Sequence, residues 1–227
     1  MSEFVIPSIN VPSIPVASGG SFPVRRVYCV GQNYADHAIE MGGDPNKQPP
    51  FFFQKNADSL NASGEFPYPS KSEDVHYEAE LLVALKSGGK DIAVNDALKH
   101  VWGYAPALDM TRRDLQASAK AGGRPWEIAK AFDQAVPVGE LQPVENVGHP
   151  SNGAIRLLQN GVLRQDGDLS QMIWKVSEMI SYLSEYFELC AGDVILSGTP
   201  AGVGPVAVGD RLQVEIKGFE PLVVDVT

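Results

Sequence analysis

The 227-residue sequence lacks several features that assign proteins quickly. It has two cysteines, Cys29 and Cys190. Two thiols without a Cys-x-x-Cys spacing build neither a disulfide framework nor a structural zinc site. Each lies in an apolar stretch, VYCVG and FELCAG, and reads as a reduced core thiol of an intracellular protein. Positive charge is also scarce: 18 Lys and Arg stand against 28 Asp and Glu, for a formal net charge of −10. That balance argues against nucleic acid and against an anionic membrane surface as partners. No apolar run approaches the roughly 20 residues of a membrane span. No basic residue precedes Arg25, and Pro7, Pro12 and Pro15 interrupt the N-terminal stretch, so it does not read as a signal peptide. We expect a cytoplasmic protein with an extended arm over residues 1–24 and one domain over 25–227. No G-x-G-x-x-G opens a helix after a strand. The loop SGTPAGVG lacks the Gly-Lys-Ser/Thr of a phosphate-binding loop, so nucleotide binding is not supported.

What is there is globular. Hydrophobic residues make up 44% and charged residues 20%, as in chains that fold around a core. VRRVYCVG, PPFFFQK, VHYEAELLVALK, WGYAPALDM, VILSG and the C-terminal DRLQVEIKGFEPLVVDV read as strands, and Asn160-Gly161 reads as a hairpin turn. Helices are few. One is NYADHAIEM, and another is NDALKHV, with Asn95 as cap. A third is TRRDLQASAKAGG, with Thr111 as cap and Asp114 as a first-turn acid. In the last, Ile173, Val176, Ile180, Leu183 and Phe187 share one face. There is no regular strand–helix alternation, so a doubly wound sheet is not expected. The pattern predicts a mainly β fold with a few helices, of the α+β class.

Four groups of residues can carry chemistry. On a strand, Glu78 and Glu80 face one way, while Tyr77, Ala79, Leu81 and Val83 face the other. Two carboxylates on one face suit a hard divalent cation, but by themselves they suit a solvated sheet face better. Asp109 ends an apolar strand before a helix on which Arg113 and Gln116 are neighbours. An acid there could be a third ligand, and Arg113 could hold a substrate carboxylate; a helix-entry acid and a surface ion pair fit equally well. His37 and Glu40 lie three apart on a short helix. They could form a water-activating pair, although a plain surface pair is the commoner outcome. Lys55 and Lys130 follow apolar stretches, and most such lysines are simply solvated.

Taken together, the motifs point further. G-x-N-Y-A-x-H-x-x-E (Gly31 to Glu40), H-Y-E-x-E (His76 to Glu80), L-D-M-T-x-R-D-x-Q (Leu108 to Gln116), A-K-x-F (Ala129 to Phe132) and S-G-T-P-x-G-V-G (Ser197 to Gly204) follow one another in an order that resembles the fumarylacetoacetate hydrolase superfamily. The likeness is greatest to its acylpyruvate hydrolase branch, through PPFFFQK, GRPWEIAKAFDQ and VWGYAPALDMTRRDLQ. The resemblance implies a mixed β-roll built around the site and a homodimer. It implies Glu78, Glu80 and Asp109 as ligands of Mg²⁺ or Mn²⁺ (Ca²⁺ in crystals). It implies His37 and Glu40 as the water-activating dyad on a lid, and Lys130 beside the metal. Arg113, Gln116 and Thr199 would hold the substrate; apart from the resemblance, Lys55, drawn into the site, could hold an enolate or carboxylate oxygen of the substrate. The implied reaction is metal-dependent hydrolysis of the C–C bond of an acylpyruvate, such as fumarylpyruvate to fumarate and pyruvate in gentisate-type aromatic catabolism. Oxaloacetate decarboxylation or keto-acid isomerisation on the same scaffold is the alternative. Gln32 stands where the family often has Arg, which removes a permanent charge near the lid.

Overall fold

Along Val75–Leu85 side chains alternate between two faces, and both faces are buried. That double burial organises the molecule, a computed structural model that describes residues 4–44, 46 and 48–227. In chain order the strands are β1 (Ser13–Pro15), β2 (Ser21–Pro23), β3 (Arg26–Gly31), β4 (Phe51–Lys55), β5 (Leu60–Asn61), β6 (Glu65–Phe66), β7 (Val75–Tyr77), β8 (Ala79–Leu85), β9 (Val101–Leu108), β10 (Thr111–Arg112), β11 (Val136–Pro137), β12 (Gln142–Pro143), β13 (Ala154–Gln159), β14 (Val162–Asp168), β15 (Asp193–Leu196), β16 (Gly204–Pro205), β17 (Arg211–Ile216) and β18 (Leu222–Val226). The helices are α1 (Ala35–Glu40), α2 (Val94–Ala97), α3 (Arg113–Ala121), α4 (Glu127–Lys130), α5 (Val144–Val147) and α6 (Val176–Tyr186). The fold is mostly β, of the expected α+β class.

A six-stranded sheet in the order β12-β9-β8-β15-β3-β4 forms the spine. β8 is antiparallel to both β9 and β15, and β15 is parallel to β3. On one face Leu81, Val83 and Leu85 meet Ile155 and Leu157 of β13, Leu212 and Val214 of β17, and Met179, Ile180 and Leu183 of α6. Those strands belong to a five-stranded sheet in the order β14-β13-β17-β18-β6. On the other face Leu82 and Ala84 meet Val27 and Cys29 of β3, with Ile14, Phe22, Val136 and Leu141 over them. Each fully buried side chain of Leu or Ile size contributes about 1.5–3 kcal/mol, so neither layer is dispensable.

Several local expectations change. Residues 1–24 are not a single arm. β1 and β2 pair as a hairpin whose Ile14 and Phe22 enter the second core, turning at Gly19 and Gly20 with φ of 97° and 84°. The prolines obscured an alternating pair of short strands. Phe4, Val5, Ile6, Ile9 and Val11 before it are exposed, and residues 1–3 lie outside the described residues. Asn95 is inside α2, with Ala93 before the first turn. Thr111 does not cap α3. It pairs across to His76 on β7, and α3 begins at Arg113. Asp114 accepts from Ser72 Oγ (2.7 Å) and from the Glu73 amide (3.1 Å), which ties the preceding loop to the helix. Asn160 and Gly161 both have positive φ, at 54° and 77°, as a two-residue hairpin turn requires.

Candidate active site

Register brings the acids together. Ala79 pairs with Leu108 across β8 and β9, and one step further the Asp109 amide donates to the Glu78 carbonyl (2.9 Å). Glu78 sits at the break between β7 and β8, and Glu80 is two residues on, on the same face. One ligand oxygen from each of Glu78, Glu80 and Asp109 lies within 4.8 Å of the others, and all three residues are buried. The solvated-face alternative is therefore excluded.

Three cations from separate segments counter this cluster. Lys130, at the end of α4, reaches Glu78 Oε2 (2.9 Å), Asp109 Oδ2 (3.0 Å) and Thr111 Oγ1 (2.6 Å). Arg113, on the first turn of α3, donates through Nη2 to Glu78 and through Nη1 to Gln116 Oε1 (2.7 Å). Lys55, at the end of β4, lies 2.8 Å from Asp109 Oδ1. Its ammonium also donates to the carbonyls of Met110 (2.8 Å), Lys130 and Ala135 (3.3 Å). Lys55 was expected to contact substrate. It sits instead beneath Asp109, outside the cavity lining, with its donors turned to the protein.

Burial opposes ionisation of Glu78, but Lys130, Arg113 and His37 outweigh it and hold this carboxyl well below the usual range. Glu80 goes the other way: burial, then Asp109 and Glu78, push it well up, against one backbone donor at Gly198 (2.7 Å). The Asp109 oxygens make ion-pair contacts, yet no donor is aligned for a hydrogen bond to either of them. Buried, crowded, all-oxygen donors with unused lone pairs fit a hard divalent cation.

His37 lies on α1 over the same cavity and is 5% exposed. Its Nδ1 is 3.0 Å from Glu40 Oε2. Glu40 also accepts from the Gly202 amide (3.1 and 3.3 Å), which pins α1 to the loop after β15. An ionised carboxylate only accepts, so in the neutral imidazole this contact puts the proton on Nδ1 and leaves Nε2 as the acceptor. Gln116 and Thr199 both line the cavity, the latter as acceptor for Gln165 Nε2 (2.8 Å).

The cavity thus gathers every sequence-selected site residue except Glu40, which is held against His37 Nδ1, and Lys55. Some supporting residues gave no signal in the sequence. Gln165 is wholly buried; it accepts from the Ala79 amide (3.0 Å) and donates to Thr199 and to the Pro200 carbonyl (2.7 Å). Asn33 bridges α1 to the carbonyls of Trp174 (3.0 Å) and Ser197 (2.8 Å). Phe51, Phe53, Trp126 and Lys120 also line the cavity. Lys120 continues the Arg113–Gln116 stripe of α3 by one more turn, a spacing that could have marked it.

Among the described residues no helix is long and apolar enough to cross a membrane. The family profile described as fumarylacetoacetate (FAA) hydrolase C-terminal matches residues 26–227. The crystal structure of fumarylpyruvate hydrolase from Pseudomonas aeruginosa, in complex with Mn²⁺ and pyruvate, is 49% identical, with a TM-score of 0.96 over 99% of each chain. The mitochondrial oxaloacetate tautomerase FAHD1 of Arabidopsis thaliana is 40% identical over 201 residues, 88% of this chain and 90% of its own. The oxaloacetate tautomerase YcgM of Escherichia coli (strain K12) is 40% identical over 198 residues, 87% of this chain and 90% of its own.

Proposed function

The chain belongs to the fumarylacetoacetate hydrolase family, and on that premise we propose that it hydrolyses the C–C bond of an acylpyruvate, fumarylpyruvate above all, to a carboxylic acid and pyruvate. One observation carries this reading. The His37–Glu40 pair opens onto the same cavity as the buried acidic cluster, so a base for water stands over a site for an electrophile.

Glu78, Glu80 and Asp109 would hold Mg²⁺ or Mn²⁺. When bound, the ion supplies Lewis-acid polarisation of the substrate's keto oxygen and a counter-charge for its carboxylate. The residues of the chain do the rest. Glu40 fixes the His37 ring and stabilises the imidazolium that forms. His37 Nε2 takes a proton from water as the oxygen attacks the carbonyl distal to the pyruvate unit. The C–C bond then breaks toward the pyruvate side, and its electron pair leaves as the pyruvate enolate. Lys130, anchored between Glu78, Asp109 and Thr111, offsets that charge with a positive charge already in place. His37 returns the proton to the enolate carbon, so water is consumed and one acid and pyruvate are released. Gln116 and Thr199, both lining the cavity, orient the substrate.

A second reading has its own support, since the two tautomerases are 40% identical over almost nine-tenths of this chain. Keto–enol exchange of oxaloacetate needs a proton moved but no water attack. Incubating the Mn²⁺-loaded protein with fumarylpyruvate, acetylpyruvate and oxaloacetate separates the two. Our reading expects loss of diketo-enol absorbance with stoichiometric pyruvate, abolished in His37→Asn and in Asp109→Asn. Rapid oxaloacetate enol decay with no pyruvate from either acylpyruvate would overturn it in favour of tautomerisation.

A further inference from the structure

The cationic groups at the cavity are not equivalent. Lys130 and Arg113 are committed to the carboxylates below, as is Lys55 beneath them. Lys120 has no carboxylate partner among the described residues. Its ammonium lies 5.1 Å over the ring of Trp126, on the last turn of α3, where Lys120 is exposed and still lines the cavity. An aromatic wall joins the two levels. Lys130 Nζ is 5.1 Å from the Phe53 ring, Phe53 is 5.7 Å from Trp126, and Trp126 is met edge-on by Phe51 at 5.5 Å. The wall therefore runs from the inner lysine to the outer one. Arg113, Gln116 and Lys120 fall on one stripe of α3, and seven residues of helix rise roughly 10 Å.

We propose that Lys120 and the Trp126 face form a second anion site at the cavity mouth, which takes the terminal carboxylate of a planar, unsaturated acyl chain. This rests on the acylpyruvate reading and deepens it, because it selects diketo acids that carry an acid at both ends. In such a seven-carbon chain the two carboxyl carbons lie roughly 7–8 Å apart when extended, six C–C bonds in a zigzag, a length of the same order as the roughly 10 Å rise along α3 from Arg113 to Lys120. The aromatic wall offers a flat face to a conjugated double bond, and a saturated or bent acyl group gains less from it. Burial, then Arg113, lowers the Lys120 pKa, with Glu78 opposing and Lys130 adding to the shift.

The test compares fumarylpyruvate with acetylpyruvate, which lacks the second acid, on the Mn²⁺-loaded enzyme at low ionic strength. In Lys120→Met the kcat/KM ratio of fumarylpyruvate over acetylpyruvate should fall about 10- to 100-fold, the worth of one charge-assisted contact, and through KM rather than kcat. Lys120→Arg should restore most of the ratio, and added salt should erode it in the parent enzyme. An unchanged ratio in Lys120→Met, with both substrates turned over by the parent, overturns the second site and leaves the hydrolase reading standing. A parent enzyme that cleaves acetylpyruvate but not fumarylpyruvate does the same. Failure to cleave either substrate overturns both.

Discussion

Replacing Lys55 by Met tests the claim that this lysine supports the site from beneath. The side chain is wholly buried, and Met keeps most of its volume. The substitution deletes the ammonium 2.8 Å from Asp109 Oδ1 and the donor to three carbonyls. Removing one member of a buried ion pair leaves the other charge uncompensated, at a cost of about 3–5 kcal/mol. Lys130 still reaches Asp109, which places the expectation toward the lower end. A chain of this length loses about 2–4 °C of Tm per kcal/mol, so the fall should be roughly 6–20 °C by scanning fluorimetry without added metal. Exposed Lys90→Met is the control and should stay within about 0.5 kcal/mol. The double variant Lys55→Met/Asp109→Leu should recover part of the loss, because no buried charge is then stranded. A Tm for Lys55→Met within about 2 °C of the parent would refute the reasoning and return Lys55 to the role of a substrate contact.

Three further outcomes follow from particular contacts. Gly202 has φ +95°, and a Cβ there would meet the Arg164 carbonyl oxygen, so Gly202→Ala must shift the loop that holds Glu40; turnover should drop at least tenfold while Mn²⁺ affinity by calorimetry stays within twofold. Cys29 is fully buried and burial pushes its thiol well up, so a thiol reagent should titrate no more than Cys190 in the native protein and both cysteines after denaturation; rapid native labelling of two thiols would contradict the packing of β3. Burial, then Lys86, lowers the pKa of His149, whose Nδ1 lies 2.7 Å from the Tyr104 hydroxyl. The unfolded chain thus takes up that proton first as pH falls through about 6.5, and stability is lost below it; the gap in Tm between pH 7.5 and 5.5 should narrow in His149→Gln.

Some of this architecture is written locally and some is not. The period-two alternation of Tyr77, Ala79, Leu81 and Val83 against Glu78 and Glu80 is a property of the strand itself, and it survives the break at Glu78. Asp109 was found because a strand ends there, and the ladder between β8 and β9 does the rest. Lys55 is not legible locally, because a lysine after an apolar run looks alike whether its tip meets water or three carbonyls 55 to 80 residues away. Gln165 and Asn33 make the same point: an amide that bridges distant backbone groups has no period and no partner nearby in sequence. The Thr111 cap failed because a strand pairing and the lysine tip competed for the residue.

The balance of three carboxylates against Lys55, Lys130 and Arg113 has a consequence for which ligands the pit accepts. If all six groups carry their charge they cancel locally, and the valence of a dication held there would remain for the guest to neutralise, inside a protein that is strongly acidic overall. A carboxylate beside an enolate supplies that double negative charge in one compact fragment. A neutral ketone or a simple monoacid would leave that charge unbalanced, so a metal-loaded floor would sort its guests by ionic state before their shape is read.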